Sequence, residues 1–230
     1  MASDASKARL FDGFAAVGKA LSSGRRLELL DVLAQGPRSV ERLAAEIGQS
    51  VANTSSHLQV LLRAGLVVTQ RDGNRIVYRL AGEAVEELWA ALRATSEAHA
   101  AALDRLTVEY LGDRSELETI TRAQLAARMR REPRPVVLDV RPAAEFEAGH
   151  VPGAVSVPPN EVAGTVNRLP NGRDVVAYCR GPFCIYADDA VRALRHQGHR
   201  AVRLEDGFPE WRRAGLPIAV GDEATAAVAS

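Results

Sequence analysis

Apolar residues recur at helical spacing through the first 65 residues of the chain and predict four helices there. The four segments are residues 4–20, 23–34, 39–47 and 50–64. Gly36-Pro37 ends the second helix, and Ser39 and Ser50 are residue types that cap the starts of the third and fourth. Two short helices joined by about three residues, with the second polar on one side, are typical of a helix-turn-helix.

The fourth helix has two chemically different sides. At about 100° per residue, the residues that fall together, and that we expect to face inward, are Val51, Ser55, Leu58 and Leu62. The polar side is either an ordinary solvated face or a surface that contacts DNA, since Asn and Ser hydrogen-bond base edges in the major groove. The candidate DNA-binding residues are Gln49, Ser50, Asn53, Thr54, Ser56 and His57, with Arg71 and Arg75 from the segment that follows.

A β-hairpin is predicted directly after the helix-turn-helix. Two β-prone runs, residues 66–70 and 75–80, flank the turn Arg71-Asp72-Gly73-Asn74, which places an arginine on each side of the tip. From Ser22 to Leu80 there are eight Arg and five acidic residues, so this part is basic although the whole chain has no net charge. We expect phosphate contacts from the hairpin and base contacts from the fourth helix.

The run SVERLAAEIGQSVANTSSHLQVLLRAGLVVTQRDGNRIVYRL resembles the ArsR/SmtB family of winged-helix repressors, and the resemblance extends over residues 5–110. It implies a homodimer on double-stranded operator DNA, with the first and last helices packing across a two-fold axis. Residues 82–110 fit that last helix. Their apolar stripe, which suits an interface, is Val85, Leu88, Trp89, Leu92, His99, Leu103, Leu106 and Tyr110.

Metal-sensing members of that family carry cysteines before the recognition helix, or His and acidic pairs on the last helix. Residues 41–47 contain no cysteine, and the last helix has a lone His99. One histidine on a helix is usually a packed or surface residue, so we expect no metal site. The repressor half therefore lacks a sensor of its own.

Length and composition narrow the class of protein. The 230 residues suffice for two domains, and 47% hydrophobic with 25% charged residues are globular values. No run approaches the roughly 18 apolar residues of a membrane span, and the first residues have no apolar signal-peptide region. Two cysteines are too few for a secreted disulfide scaffold. We expect a cytoplasmic protein without membrane contact, in which a cysteine pair is redox-active or catalytic.

After a polar break at residues 112–116, short apolar strands alternate with helices, which predicts a parallel α/β sheet. The expected domains are 1–111 and 117–230, with the break as linker. The only cysteines, Cys179 and Cys184, lie in a loop between a strand and a helix that starts near Cys184. Loop N–H groups and the helix start favour a thiolate at Cys179, and the carboxyl ends of parallel strands are where ligands bind. Alternatively, both cysteines are small buried apolar residues.

Two further segments, VVLDVRPAAEFEAGHVPGAVSVP and EDGFPEWRRAGLP, resemble the rhodanese domain together with the cysteine loop and the helix after it, over residues 117–220. The resemblance implies an α/β rhodanese-like sulfurtransferase domain whose catalytic residue is Cys179. It also implies that four residues of the first segment are architectural and not catalytic: Asp139, Arg141, Glu145 and His150. The chain is thus expected to be multi-domain: a mostly α winged helix followed by an α/β domain.

The length of the cysteine loop separates the related chemistries. Phosphatases and arsenate reductases of similar fold use Cys-x5-Arg, whereas Ile185 stands at that arginine position here, so we expect sulfur chemistry. The substrate-binding loop would be Arg180, Gly181, Pro182 and Phe183. Arg180 either orients a thiosulfate or sulfonate group or points to solvent. Cys184 either resolves a Cys179 persulfide or packs in the first turn of the helix.

The combined hypothesis is a transcriptional regulator in which Cys179 accepts sulfane sulfur, from a donor such as thiosulfate or a persulfide, and so senses reactive sulfur. One alternative is a sulfurtransferase that its DNA-binding half merely localises. Another is a repressor whose rhodanese-like half is catalytically inactive. No cofactor is expected in any of the three.

Overall fold

A computed structural model describes residues 4–166, 169–170 and 172–221. By its contacts the chain divides into two compact units, Met1–Ala100 and Ala101–Ser230. The boundary predicted from the sequence, a linker at 112–116, therefore lies inside the second unit. Among the described residues, no helix has both the length and the apolar character needed to cross a bilayer.

The first unit contains five helices and three short strands among its described residues. The helices are α1 (Asp4–Leu21), α2 (Gly24–Leu33), α3 (Val40–Glu46), α4 (Val51–Arg63) and α5 (Glu83–His99). The strands are β1 (Arg38–Ser39), β2 (Val67–Asp72) and β3 (Arg75–Leu80), in the antiparallel order β1-β3-β2. The predicted winged helix-turn-helix is confirmed, with α3 and α4 as the helix pair and β2–β3 as the wing.

Local capping and turn residues set the ends of these elements. The Ser50 hydroxyl accepts a hydrogen bond from the Asn53 backbone N–H at 3.2 Å, which caps α4 as predicted. Asp72 pairs with Arg75 across the hairpin, so Gly73 and Asn74 form a two-residue turn. Gly73 has φ +58° and Asn74 has no positive φ, which is the pattern of a type II′ hairpin turn with glycine at its first central position.

The buried face of α4 differs from the predicted one. Thr54, Leu58 and Leu61 are completely buried, at the i, i+4, i+7 spacing of one helix face. Val51, which was expected to face inward, lies in the first turn of α4 and is 46% exposed. The face that packs against the core is thus rotated by about one residue from the one that the wheel predicted.

The prediction of a single long helix over residues 82–110 is wrong. The chain forms α5, breaks at Ala100, and continues as α6 (Ala102–Leu111), which groups with the second unit. Ala100 has φ −94° and ψ +89°, outside the helical region. Nothing in the local sequence, which lacks Gly and Pro here, explains the break. The apolar stripe predicted along one helix is therefore divided between two.

The second unit is built on a five-stranded sheet in which every neighbouring pair is parallel, as predicted. The strands are β4 (Thr119–Ile120), β5 (Val136–Asp139), β6 (Val155–Ser156), β7 (Val175–Cys179) and β8 (Ala201–Gly207), in the order β4-β8-β7-β5-β6. The helices after α6 are α7 (Arg122–Arg128), α8 (Ala143–Ala148), α9 (Val162–Val166), α10 (Tyr186–His196) and α11 (Phe208–Arg213), with a 3₁₀ turn at Pro159–Glu161.

Alternate residues of the central strand β7 belong to the two faces of this sheet. Ala177 and Cys179 pack on the side of α10, whereas Val176 and Tyr178 pack with Phe146, on α8, and the aromatic residues of α11. All five residues of β7 are buried, as in a strand covered on both faces. Cys179 is therefore the last strand residue on the face covered by α10.

Two helices of this unit begin or end at other residues than the sequence predicted. The helix expected to start near Cys184 begins at Tyr186, since the loop continues through Ile185. The helix expected over residues 160–169 is a 3₁₀ turn followed by the short α9, while positions 167–168 lie outside the described residues. The longer loop separates Cys184 from the regular helical turn.

Candidate functional site

The two cysteines lie where β7 ends and are bonded to each other. Cys179 is the last residue of β7, Cys184 follows five positions later, and their sulfur atoms form a disulfide with Cα atoms 6.2 Å apart. Cys179 is 1% exposed and Cys184 is half-buried. The Cys184 N–H donates to the Gly181 carbonyl at 3.2 Å, which folds the loop back on itself. The loop therefore brings the second sulfur within bonding distance of the strand-end sulfur.

The neighbouring strand fixes this loop by close backbone contact. Gly207, at the end of β8, is the register partner of Cys179. A Cβ atom at Gly207 would lie 2.3 Å from the Arg180 carbonyl carbon and 2.3 Å from the Gly181 nitrogen. Only a residue without a side chain fits between β8 and the start of the cysteine loop.

Arg180, the first residue after Cys179, forms an ion pair that the sequence did not predict. Its guanidinium forms an ion pair with Glu145, with Nε 3.0 Å from Oε1, and the Arg180 side chain is only 17% exposed. Glu145 itself is completely buried on α8. Arg180 is therefore held by a buried carboxylate and does not point freely into solvent.

Beneath the loop, Asp139 and Arg141 form a completely buried ion pair with Nη2 2.6 Å from Oδ2. The Tyr178 hydroxyl donates to Asp139 at 2.6 Å and accepts from the Val151 N–H at 3.0 Å. Burial, and then the charge of Asp139, raise the pKa of Tyr178 well above its ordinary value. Asp139 also raises the pKa of Arg141, although burial opposes that change. These contacts support the architectural role that the resemblance implied for the pair.

His150 has a similar structural setting. Its ring stacks on Phe146 at 3.6 Å between centroids, and its Nδ1 lies 2.9 Å from the Phe146 carbonyl oxygen. The backbone of His150 pairs with Ala219 through two hydrogen bonds of 2.9 Å. His150 therefore ties the end of α8 to residues near the end of the described chain.

Sequence reasoning missed a second cluster around the loop. Arg114 donates to the Pro182 carbonyl at 2.6 Å, to the Cys184 carbonyl at 3.3 Å and to Asp188 at 2.5 Å. Arg203 on β8 donates to the Pro182 carbonyl at 2.9 Å and lies 2.9 Å from the other Asp188 oxygen. Contacts that span about 70 residues leave no local pattern, so no sequence signal identifies Arg114 in the expected linker.

The helix α4 presents part of the predicted DNA-binding set. Ser50, Asn53 and Ser56 are exposed, and Gln49 and His57 are half-buried. The Ser56 hydroxyl donates to the Ala52 carbonyl at 3.0 Å. These five residues remain candidates.

Thr54 is wrong as a DNA-binding candidate, because it is completely buried on the inner face of α4. Its hydroxyl oxygen, enclosed by the core, has no hydrogen-bond partner among the described residues. Thr54 lies four residues before Leu58 and therefore on the same inner face of α4, whereas the predicted inner face included Ser55 in its place. Thr54 contributes to packing and not to the polar surface of the helix.

Arg71 and Arg75 are exposed on the wing, one on each strand beside the tip. Their neighbour Ile76 is also 60% exposed, so the outer part of the hairpin carries both charge and an apolar side chain. This arrangement suits contact with phosphate groups, as expected from the sequence.

Comparison with known families matches each unit separately. Residues 23–69 match the family of bacterial regulatory proteins named arsR, and residues 121–214 match the rhodanese-like domain. The chain is 47% identical over 216 residues to the HTH-type transcriptional regulator Rv0324 of Mycobacterium tuberculosis, which covers 94% of each protein. It is also 36% identical over 84 residues to a sulfurtransferase of Allochromatium vinosum, covering 36% of this chain and 77% of that protein.

A solved structure resembles the first unit. The homodimeric winged helix-turn-helix DNA-binding domain of Mb0332 from Mycobacterium bovis, a possible ArsR-family transcriptional regulator, is 46% identical. It covers 43% of this chain and 91% of that domain, with a TM-score of 0.41.

Proposed function

We propose that this chain, which belongs to the arsR family of bacterial transcriptional regulators and carries a C-terminal rhodanese-like domain, regulates transcription in response to reactive sulfur. In this proposal Cys179 accepts sulfane sulfur as a persulfide, and sulfur loading changes the affinity of the winged helix for operator DNA. The observation that carries the proposal is the bonded pair of Cys179 and Cys184 at the carboxyl end of β7. The similarity to a named sulfurtransferase supports the same chemistry.

The first step requires the pair to be reduced, because the sulfur of Cys179 is a nucleophile only as a thiolate and in the bonded state it is part of the disulfide. The Cys179 thiolate then attacks the outer sulfur of the donor, and the bond between the two donor sulfurs breaks. With thiosulfate the leaving group is sulfite, and with an organic persulfide it is the thiolate. Loop N–H groups and the start of α10 would stabilise the negative charge on the bound sulfur.

The second step uses Cys184. The Cys184 thiol loses its proton and attacks the inner sulfur of the Cys179 persulfide, and the outer sulfur leaves as hydrosulfide. The product is the disulfide between the two cysteines, so no external oxidant is consumed. This is the state that the structure contains.

The ion pair between Arg180 and Glu145 bears on the choice of donor. A sulfonate group gains little from an arginine whose charge a buried carboxylate already balances. The proposal therefore favours a persulfide or polysulfide donor over thiosulfate.

The DNA-binding half would act as a homodimer in the cytoplasm, with α4 at the base edges and the wing at the phosphates. Three large apolar residues of α1, Leu10, Phe11 and Phe14, are 58–64% exposed in the single chain. Packing across a two-fold axis would cover them. Phe14→Glu should then convert the dimer to a monomer in light scattering, whereas a wild-type chain that is already monomeric contradicts this assembly.

Mass spectrometry of the intact, reduced protein after treatment with inorganic polysulfide tests the sulfur chemistry. The wild type should end as the disulfide, Cys184→Ser should retain one added sulfur, and Cys179→Ser should retain none. Sulfur found on Cys184 in the Cys179→Ser variant would contradict the assigned order. A thiosulfate:cyanide assay on the same samples should show slower turnover than a persulfide donor, and no sulfur transfer from any donor would indicate a binding module.

A further inference from the structure

The segment of residues 112–116 is attached to the α/β fold. The Arg192 guanidinium donates to the Asp113 carbonyl at 3.1 Å, and the Arg195 guanidinium donates to the Glu116 carbonyl at 2.7 Å, both from α10. The Ser115 N–H donates to the Asp113 carboxylate at 2.8 Å, and this bond lowers the pKa of Asp113. The segment therefore lies along α10, immediately after α6 ends at Leu111.

Arg114 reaches from this segment into the cysteine loop. Its three nitrogens are used separately: Nε on Asp188, Nη1 on the Pro182 carbonyl and Nη2 on the Cys184 carbonyl. A planar guanidinium can make three such bonds at once, whereas a lysine ammonium cannot reproduce their geometry. The contact to Cys184 is to the backbone of the very residue that bonds Cys179.

Asp188, the ion-pair partner of Arg114, also has a second cationic neighbour, Arg203. Asp188, in the first turn of α10, is 1% exposed and also pairs with Arg203 at 2.9 Å, although that N–H is not aimed at the oxygen. Burial, and then the charge of Arg114, lower the pKa of Arg203. Asp188 keeps a cation when Arg114 is removed, and Arg114 itself is 23% exposed. Substitution of Arg114 should therefore leave the fold intact.

We propose that Arg114 is a positioning residue that couples the bonding state of Cys179 and Cys184 to the attachment of residues 112–116. In the bonded state the Pro182 and Cys184 carbonyls lie where Arg114 binds them. Opening the disulfide frees the Cys184 backbone to move, which weakens the hold of Arg114. This inference deepens the proposed function, since it supplies a route from the sulfur site to helix α6, which leads back along the chain to the DNA-binding half.

Because thermodynamic coupling is reciprocal, the effect of Arg114 can be measured both on disulfide formation and on attachment of the segment. If Arg114 binds the bonded loop more tightly than the open loop, it must favour disulfide formation by the same factor by which the disulfide favours attachment of the segment. A residue that only stabilises the fold would favour both bonding states equally and would change neither quantity.

The test uses the full chain equilibrated in glutathione buffers of graded redox potential, with the disulfide fraction measured by thiol alkylation and mass spectrometry. The reaction is two protein thiols plus glutathione disulfide giving the protein disulfide plus two glutathiones. Arg114→Ala should lower the equilibrium constant for formation of the protein disulfide by about tenfold, which lies within the usual range of coupling between sites. Arg192→Ala is the matched control, because Arg192 holds the same segment without touching the loop, and it should stay within about twofold of wild type.

Hydrogen exchange supplies the second readout. In the wild type, reduction should speed exchange of the amides at residues 113–117 by a factor similar to the shift in the redox equilibrium, and in Arg114→Ala reduction should have no such effect. Arg114→Lys keeps the charge and should shift the equilibrium in the same direction, which covers the case of a poorly folded alanine variant.

An equilibrium constant of Arg114→Ala or Arg114→Lys that matches Arg192→Ala would overturn the coupling. So would exchange at 113–117 that is indifferent to reduction in the wild type. Neither measurement involves a persulfide or DNA. Failure of sulfur transfer to Cys179 would therefore leave the coupling standing, and failure of the coupling would leave sulfur transfer to Cys179 untouched.

Discussion

Gly207 is the point at which β8 touches the backbone of the cysteine loop, and Gly207→Ala should displace that loop. The added Cβ would meet the Arg180 carbonyl carbon at 2.3 Å, the Gly181 nitrogen at 2.3 Å and the Arg180 carbonyl oxygen at 2.4 Å. Gly207 has φ −117°, which any residue adopts, so the expected effect comes from the lack of space and not from backbone strain.

The size of the effect follows from these distances. Non-bonded carbon atoms pack best at about 3.5–4.0 Å, so the loop or the end of β8 must move by about 1 Å. Overpacking in a protein interior usually costs about 1–3 kcal/mol, and we expect the upper part of that range because the atoms met are backbone. A 1 Å misplacement of a reacting group costs on the order of 100-fold in rate. Sulfur transfer to Cys179 should fall by about that factor.

Urea unfolding followed by the fluorescence of Trp211 measures the stability change in the second unit, in a Trp89→Phe background so that Trp211 is the only tryptophan. The matched control is Gly164→Ala in α9, where an added Cβ meets nothing within 4 Å. An alanine there should stabilise the helix by about 0.5–1 kcal/mol. A Gly207→Ala protein that loses less stability than about 1 kcal/mol and retains its rate of sulfur transfer would refute the steric argument.

Three further predictions concern the rest of the molecule. Asp139→Asn should destabilise the second unit by about 3–5 kcal/mol, because Arg141 is left buried beside a neutral partner; a loss below about 1 kcal/mol in the same urea assay would contradict this. The raised pKa of Tyr178 keeps its phenol neutral in the folded state, while the unfolded state loses that proton near pH 10. The unfolding free energy should therefore fall as pH rises above about 10, less steeply in Tyr178→Phe, and equal slopes would count against the raised pKa. Arg75→Ala should weaken binding to all DNA sequences alike and reduce the salt dependence of log K by about 0.9, as measured by fluorescence anisotropy. An unchanged salt dependence of log K would show that Arg75 does not contact a phosphate group.

Features set by neighbouring residues could be predicted from the sequence. Ser50 caps α4 through a bond to a residue three positions away, and the Gly73-Asn74 turn forms the hairpin through the positive φ of Gly73. The parallel sheet followed from the alternation of strands and helices, and the cysteine loop followed from its place between them. Each of these signals lies within a few residues of the feature that it determines.

Features set by distant residues could not be predicted. The two-residue strands β1 and β4 exist only through pairing with β3 and β8, so no alternation marks them. The ion pair of Arg180 with Glu145 spans 35 residues and that of Arg114 with Asp188 spans 74. The error at Thr54 has another cause. The sequence of a short helix is compatible with two buried faces that differ by about one residue, and only the tertiary packing decides which of the two is buried.

Fluorescence anisotropy on DNA from the upstream region of the gene tests the central claim most directly, with reduced protein titrated before and after treatment with inorganic polysulfide. Polysulfide should change the DNA affinity of the wild type and leave that of Cys179→Ser unchanged, while both proteins bind DNA equally before treatment. A change in affinity that persists in Cys179→Ser would contradict the assignment of Cys179 as the input of the regulator.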